Sequence, residues 1–135
     1  PDGRSILLRS ARASAPSRVD RFFRVPARGG FEEMLALPTA GYAGLSADAN
    51  LIAFVSPSYD RRTWKRYRGG SAPDIWVYDF DKNQSEKITD WDGSDEWPMF
   101  HGRTIYYCSD RDSKIVNLWA YYVYVKTHRQ CTTFS

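Results

Sequence analysis

The ten residues ADANLIAFVS, numbered 47–56, consist of a turn followed by a short apolar strand that ends on serine. The same pattern occurs twice more, as PDGRSILLRS from Pro1 and as FHGRTIYYCS from Phe100. In a common register, isoleucine stands at equivalent points and serine closes each strand, at Ile6, Ile52 and Ile105 and at Ser10, Ser56 and Ser109. Recurrence of one strand pattern along a chain indicates a repeat architecture.

Each of these strands is followed by a second strand and then by a closing one. The second strands are FFRV from Phe22, IWVY from Ile75 and LWAY from Leu118, and we expect the closing strands in EEMLALP, SEKITDW and RQCTTFS. AGYAGLS and SDEWPMF leave room for a fourth, opening strand in the last two units. Four short strands in roughly forty to fifty residues is the period of a propeller blade. We therefore predict an all-β chain of about three four-stranded antiparallel blades, approximately 1–38, 39–91 and 92–135.

The composition agrees with this fold class. Of 135 residues, 42% are hydrophobic and 16% aromatic, which is enough to fill a core. Frequent Gly and Pro among Val, Ile, Tyr, Phe and Trp favour short strands and turns over helices. Four tryptophans could alternatively form a stacking platform for bases or sugars, but their recurrence at blade positions favours packing between blades, at Trp76, Trp91, Trp97 and Trp119.

The net charge of +3 is concentrated in one segment. Residues 59–70 carry five cations against Asp60, so the rest of the chain is slightly acidic. This segment separates the second and third strands of the middle blade. Its candidate site residues are Arg61, Arg62, Trp64, Lys65, Arg66 and Arg68. Cations interleaved with aromatics suit phosphate or single-stranded nucleic acid. We nevertheless expect a solvated or docking loop, with a channel mouth that attracts acidic peptide termini as the alternative, and we expect neither a nucleic-acid nor a membrane partner.

The sequence predicts neither a metal site nor a cofactor. His101 and His128 stand alone, and Cys108 and Cys131 form no metal-binding motif. One strand should separate the two cysteines, so we expect both thiols to be free. A carboxylate cluster in DWDGSDEW could hold calcium, but turn chemistry explains it more simply, at Asp90, Asp92, Asp95 and Glu96.

No targeting segment is evident in the sequence. No apolar run reaches transmembrane length, and PDGRSILLRSAR has too short an apolar segment for a signal peptide. The absence of an initiator Met suggests a fragment of a longer protein, and the two unpaired cysteines favour a reducing, cytoplasmic compartment.

Two groups of motifs carry a family resemblance. LSADANLIAFVS and PDIWVYDFDKNQSEKITDW resemble the TolB-type propeller repeat. RTWKRYRGGSAPDIWVYDF, KITDWDGSDEWPMFHGRTIYYCSDRD and NLWAY resemble, more narrowly, the six-bladed propeller domain of tricorn proteases and their bacterial homologues. The resemblance implies a non-catalytic domain of a large serine peptidase, whose propeller forms a channel for substrate access or product exit. The catalytic Ser and His of that family lie in other domains.

The implied role is a gating or interaction module, with peptides and the remaining peptidase domains as partners. Three blades would leave two apolar faces uncovered, so we also expect self-association as a homodimer or a strand-exchanged oligomer. The alternative is a self-assembling structural fragment without a ligand. A module that binds anions or nucleic acid through residues 61–68 is the third interpretation.

The sequence departs from the family pattern in two places. SADAN, residues 46–50, lacks the usual Pro and Gly of its turn. Tyr122 replaces an Asp that is typical of the family, and VYVK, residues 123–126, resembles an added pair of strand residues. We therefore expect irregular geometry in the last closing strand, residues 129–135.

Overall fold

The structure is a computed structural model that describes residues 3–13, 19–37, 39, 41–57, 67–112 and 114–135. Eleven β-strands are assigned within these ranges, and none of the described residues is helical. The strands are β1 (Ser5–Ser10), β2 (Arg21–Pro26), β3 (Glu33–Met34), β4 (Ala43–Leu45), β5 (Leu51–Ser56), β6 (Asp74–Asp79), β7 (Gln84–Lys87), β8 (Asp95–His101), β9 (Thr104–Ser109), β10 (Asn117–Tyr122) and β11 (Thr127–Gln130). The described part of the chain contains no helix that could cross a membrane.

These strands form three antiparallel sheets, which we call blades 1, 2 and 3. Blade 1 has the order β1-β2-β3, blade 2 the order β4-β5-β6-β7, and blade 3 the order β8-β9-β10-β11. Blades 2 and 3 thus have four strands in simple succession, while blade 1 has three. The predicted all-β fold of propeller blades is confirmed.

Two apolar clusters lie between the blades. Blades 1 and 2 share a cluster made by Phe22, Leu35, Leu37, Ile52, Phe54 and Tyr78. Blades 2 and 3 share another, made by Ala53, Ile75, Ile88, Ile105, Tyr107, Trp119 and Tyr121. Neighbouring residues on a strand point to opposite faces, so Ile52 and Ala53 serve different clusters. Blade 2 is therefore buried on both faces, which explains the continuous apolar run of β5.

Blades 2 and 3 lie close together at their first strands, β4 and β8. A side-chain carbon at Gly44 in β4 would lie 2.9 Å from the backbone oxygen of Pro98 in β8. Real Cβ atoms essentially never approach so closely, so glycine permits this contact. We call the edge formed by β4 and β8 the inner edge.

The strand-to-strand turns support the repeat register. Gly3, Ala49 and Gly102 precede the three equivalent isoleucines by three residues, and their φ angles are 71°, 59° and 57°. All three lie in the left-handed region, which glycine adopts readily and alanine does not. In blade 2 the Asp48 carboxylate accepts hydrogen bonds from the Ser46 hydroxyl and the Asn50 backbone N–H, at 2.6 and 3.1 Å. A side chain thus holds the turn that lacks the usual Pro and Gly.

The predicted last closing strand is wrong in position. We expected it in residues 129–135, but β11 ends at Gln130. The VYVK segment is not an added pair of strand residues; it forms the turn between β10 and β11. Lys126 has a positive φ of 53°, and its backbone N–H donates to the Tyr122 carbonyl at 2.8 Å. This tight turn starts the return strand earlier than the apolar pattern indicated.

Candidate functional site at the inner edge and the junction of blades 2 and 3

The basic segment lies where the sequence predicted it, between β5 and β6 of blade 2. Five of its six candidate residues fall outside the described residues, namely Arg61, Arg62, Trp64, Lys65 and Arg66. The sixth candidate, Arg68, lies within the described residues, shortly before β6 begins.

Arg68 binds blade 3. Its guanidinium Nη1 donates to Asp110 Oδ2 at 2.7 Å, and the guanidinium carbon lies 5.1 Å from the centre of the Trp91 ring. Asp110 has a side chain only 5% exposed, and its Oδ1 also accepts from Trp91 Nε1 at 2.9 Å and the Ser94 N–H at 3.0 Å. Because the carboxylate is buried, this guanidinium bond is stronger than a surface ion pair.

Gly93 makes room for this arrangement. A Cβ on Gly93 would lie 1.8 Å from Arg68 Nη1 and 2.3 Å from Asp110 Oδ1. The DWDGSDEW segment is therefore built around the ion pair. Arg68 stabilises the junction of blades 2 and 3, and its charge is neutralised there by Asp110. The anion-binding role of the other cations stays a prediction.

A second ion pair lies at the same junction. Arg111 donates to the fully buried Asp95, with 3.0 Å between Nη2 and Oδ2. Its guanidinium carbon also lies 5.1 Å from the Trp119 ring centre and 5.7 Å from that of Tyr107. Burial raises the pKa of Asp95, and the positive charge of Arg111 opposes that shift. The Arg68–Asp110 pair thus joins blades 2 and 3, while the Arg111–Asp95 pair lies within blade 3 beside the apolar cluster that the two blades share.

The carboxylates of the DWDGSDEW segment, which could have held calcium, point in different directions. Asp95 points into the junction, whereas Asp90 is fully exposed and lies 3.9 Å from Lys87. Among the described residues, no cluster of three or more metal-ligating side chains occurs.

His128 is half-buried on the last strand of blade 3. Its Nδ1 lies 2.8 Å from the Tyr107 hydroxyl, and its ring lies 4.7 Å from the Tyr121 ring, centre to centre. Burial lowers the pKa of His128, and the positive charge of Arg111 lowers it further. Both effects favour the neutral form of this histidine beside the two tyrosines.

The inner edge exposes two aromatic rings. Tyr42, which precedes β4, and Trp97 in β8 lie edge to face at 6.0 Å between ring centres. They are 44% and 46% exposed, and the Arg9 guanidinium carbon of blade 1 lies 5.7 Å from the Tyr42 ring centre. The prediction that tryptophans fill the space between blades holds for Trp119, whereas Trp97 is a surface residue of the inner edge.

The exposure of Trp97 has a backbone cause. The pairing of β8 with β9 shifts between Glu96 and Met99, and Trp97 has a φ of 54°. Such a bulge bends the strand and redirects a side chain. Sequence reasoning missed this feature, although Pro98 signals it, since proline inside a strand marks an edge or a bulge.

Cys108 lies on the second strand of its blade, as predicted, whereas Cys131 was predicted on the closing strand and lies just after it. Cys108 lies in β9 and Cys131 follows β11, with β10 between them. Both thiols are free, as expected.

Comparisons with known proteins place this chain in a family. Residues 1–135 match the family described as the tricorn protease N-terminal β-propeller domain. A tricorn protease homolog from Saccharolobus solfataricus is 26% identical over 99 residues, which is 73% of this chain and 9% of that protein. The chain thus spans about a tenth of this relative's length.

Solved structures show the same fold. A TolB protein from Agrobacterium tumefaciens superposes with a TM-score of 0.76 at 19% identity, over 99% of this chain and 44% of that one. The crystal structure of the tricorn protease gives a TM-score of 0.54 at 18% identity, over 100% of this chain and 18% of that one. The chain belongs to the tricorn protease N-terminal β-propeller family, as a fragment built of TolB-type blades.

Proposed function

We propose that this chain is a non-catalytic segment of a tricorn-like serine peptidase, where it forms part of the wall of a passage for peptides. Its family membership supports this role, since the matching family is the propeller domain and not the peptidase domain. His128, one of the two histidines, is half-buried and contacts tyrosine rings rather than a nucleophile. We expect no peptide hydrolysis by this chain.

The exposure of the two outermost blade faces carries the proposal. In blades 2 and 3, Ile52 and Ile105 point to the preceding blade and are 0% exposed. Their equivalent in blade 1, Ile6, is 55% exposed, and Met34 on the same face is also exposed, whereas Phe23 between them is covered by the Arg12 guanidinium. At the other end, blade 3 presents partly exposed side chains on its outer face, at Tyr106, Cys108, Leu118 and Tyr122. Both faces have the pattern of a blade that packs on a neighbour.

Further blades would cover these faces in a longer chain, and a second copy would cover them in the isolated chain. Large exposed apolar faces rarely persist in soluble monomers, and closed two-fold dimers are the commonest oligomers. Two copies of three blades give the six-bladed ring that the family resemblance implies. The homodimer, or a strand-exchanged oligomer, is the assembly we propose.

The basic segment extends this proposal. This segment follows the end of β5, and the end of β5 lies beside Tyr42. The Val55 backbone N–H, one residue before β5 ends, donates to the Tyr42 carbonyl. A cluster of cations at a passage entrance would concentrate peptides with acidic termini. We propose that role for Arg61, Arg62, Lys65 and Arg66.

Sedimentation equilibrium tests the assembly. At about 100 µM, a concentration at which exposed apolar surface drives association, we expect the mass of a dimer or larger oligomer. Ile6→Asp should shift this mass toward the monomer, because it buries a charge in the proposed interface. Val125→Asp, in the exposed turn after β10, is the matched control and should leave the mass unchanged. A well-folded monomer at this concentration would refute the proposed ring.

A further inference from the structure

We propose that Tyr42 and Trp97 form a binding site for the apolar side chains of an extended peptide at the inner edge. This inference rests on the proposed peptide passage and adds two residues that would contact the peptide. The family resemblance did not identify either residue. Three observations carry the inference: the backbone of Trp97, the row of side chains that it completes, and the two strands that flank it.

The backbone of Trp97 is held in a conformation that bulky residues rarely adopt. Its φ of 54° lies in the left-handed region, at the bulge between Glu96 and Met99. Glycine would relieve that strain, and a ring that is 46% exposed obtains only part of the packing of a core residue. Residues held in sparsely populated backbone conformations cluster at ligand clamps and other functional sites.

The ring of Trp97 is one of three side chains that run across all three blades. Arg9 comes from β1, Tyr42 from the start of blade 2, and Trp97 from β8. The Arg9 guanidinium is paired with Asp20, with 3.1 Å between Nε and Oδ2. Because its charge is compensated, the row offers flat aromatic surface rather than an anion site.

The flanking strands favour a peptide over a nucleobase or a sugar. β4 and β8 are end strands of their sheets, and β4 lies against β8 without pairing with it among the described residues. End strands present backbone N–H and C=O groups that can pair with an extended chain, while aromatic rings accept its alternate side chains. A base or a sugar could stack on the rings but could not extend the backbone ladder of either strand.

The test is peptide binding measured by fluorescence anisotropy. The probe is a labelled, uncharged octapeptide with two phenylalanines two residues apart, and the reference probe carries serine in their place. We expect the phenylalanine peptide to bind and Trp97→Gly to weaken it by at least about tenfold, the loss typical of a truncated aromatic anchor. Phe31→Ala, at an exposed ring in the segment before β3, is the control and should bind like the parent chain.

Thermal unfolding of the same variant separates binding from structure. Because relief of the backbone at φ 54° offsets the lost contact of a half-buried ring, Trp97→Gly should unfold at a nearly unchanged temperature while it loses the peptide. A lower unfolding temperature would make Trp97 a structural residue and overturn the proposal. Tighter binding of an eight-nucleotide oligothymidine than of the peptide would also overturn it, in favour of base stacking.

The outcome is separable from that of the proposed assembly. If Trp97→Gly sediments as the parent chain does and still binds the peptide fully, the proposed peptide site is wrong and the proposed dimer is unaffected. If the parent chain is monomeric yet binds the peptide through Trp97, the proposed dimer is wrong and the peptide site is supported.

Discussion

Blades 1 and 3 place the same residue type in opposite surroundings. Ile105 in blade 3 points to blade 2 and is completely buried, whereas Ile6, at the equivalent point of blade 1, is 55% exposed. Both follow a turn with a residue in the left-handed region, and both stand at the equivalent point of the strand repeat. In blade 3 this strand has the opening strand β8 and a preceding blade beside it, and among the described residues blade 1 has neither, so the burial of this position depends on those neighbours and not on its own apolar pattern alone.

Truncation of the two isoleucines should show the largest effect. Ile105→Ala should lower the free energy of unfolding by about 3 kcal/mol, as cavities in packed cores do. Ile6→Ala should lower it by less than about 1 kcal/mol at high dilution, as surface substitutions do. Urea unfolding at two protein concentrations measures both. The loss from Ile6→Ala should grow with concentration, because we propose that a partner covers this face; equal losses from both variants would break the comparison.

Loss of Arg68 should have the next largest effect. Arg68→Ala leaves the buried Asp110 carboxylate without its guanidinium, so we expect a loss of about 1–2 kcal/mol, reduced because Arg68 is partly exposed. Arg24→Ala, which breaks the exposed pair with Glu33, is the matched control and should change stability by about 0.5 kcal/mol or less. Similar losses from the two variants in urea unfolding would show that the junction of blades 2 and 3 does not depend on this contact.

The pH dependence of stability should report the same junction. The folded pKa of His128 lies below the ordinary value of 6.5, so the unfolded chain binds this proton more readily. The contribution of neutral His128 to the free energy of unfolding is present above pH 6.5. It is lost as pH falls from there through the folded pKa, at no more than about 1.4 kcal/mol per pH unit for one proton. His128→Gln should flatten this slope in unfolding curves between pH 7 and pH 5. An unchanged slope would assign the dependence to other groups.

The turn at Ala49 should give the smallest effect, and of opposite sign. Ala49→Gly should raise the free energy of unfolding by up to about 1 kcal/mol, because its φ of 59° favours glycine. Gly102→Ala, at the equivalent turn of blade 3, should lower it by a similar amount. Thermal unfolding of both variants measures this. Effects of the same sign would show that the three turns are not equivalent.

The sequence predicted those features that repeat. The strand-closing serines and the equivalent isoleucines fall where their register placed them, since period-two patterning and turn chemistry act locally. The approximate blade limits at 38 and 91 stay predictions. The candidate residues 61, 62 and 64–66 fall outside the described residues, so their role stays a prediction as well.

Other features depend on contacts between blades and could not be derived from a single pattern. The Arg68–Asp110 pair joins residues 42 positions apart, and its geometry depends on the absence of a side chain at Gly93. The exposure of Trp97 depends on a bulge, which breaks the alternation that a strand pattern assumes. The VYVK turn was missed because β-branched residues favour strands, although they lie here in a tight turn.

The most direct test of whether a second copy covers the outermost blade faces uses Cys108 as a probe of the outer face of blade 3. Cys108 is half-buried there, and burial raises its thiol pKa, so labelling is best done at mildly alkaline pH in a Cys131→Ser background. If a partner covers this face, alkylation of Cys108 should be several-fold slower at about 100 µM protein than at about 1 µM. Ile6→Asp should remove the difference. An alkylation rate that is independent of protein concentration in the parent chain would contradict the account.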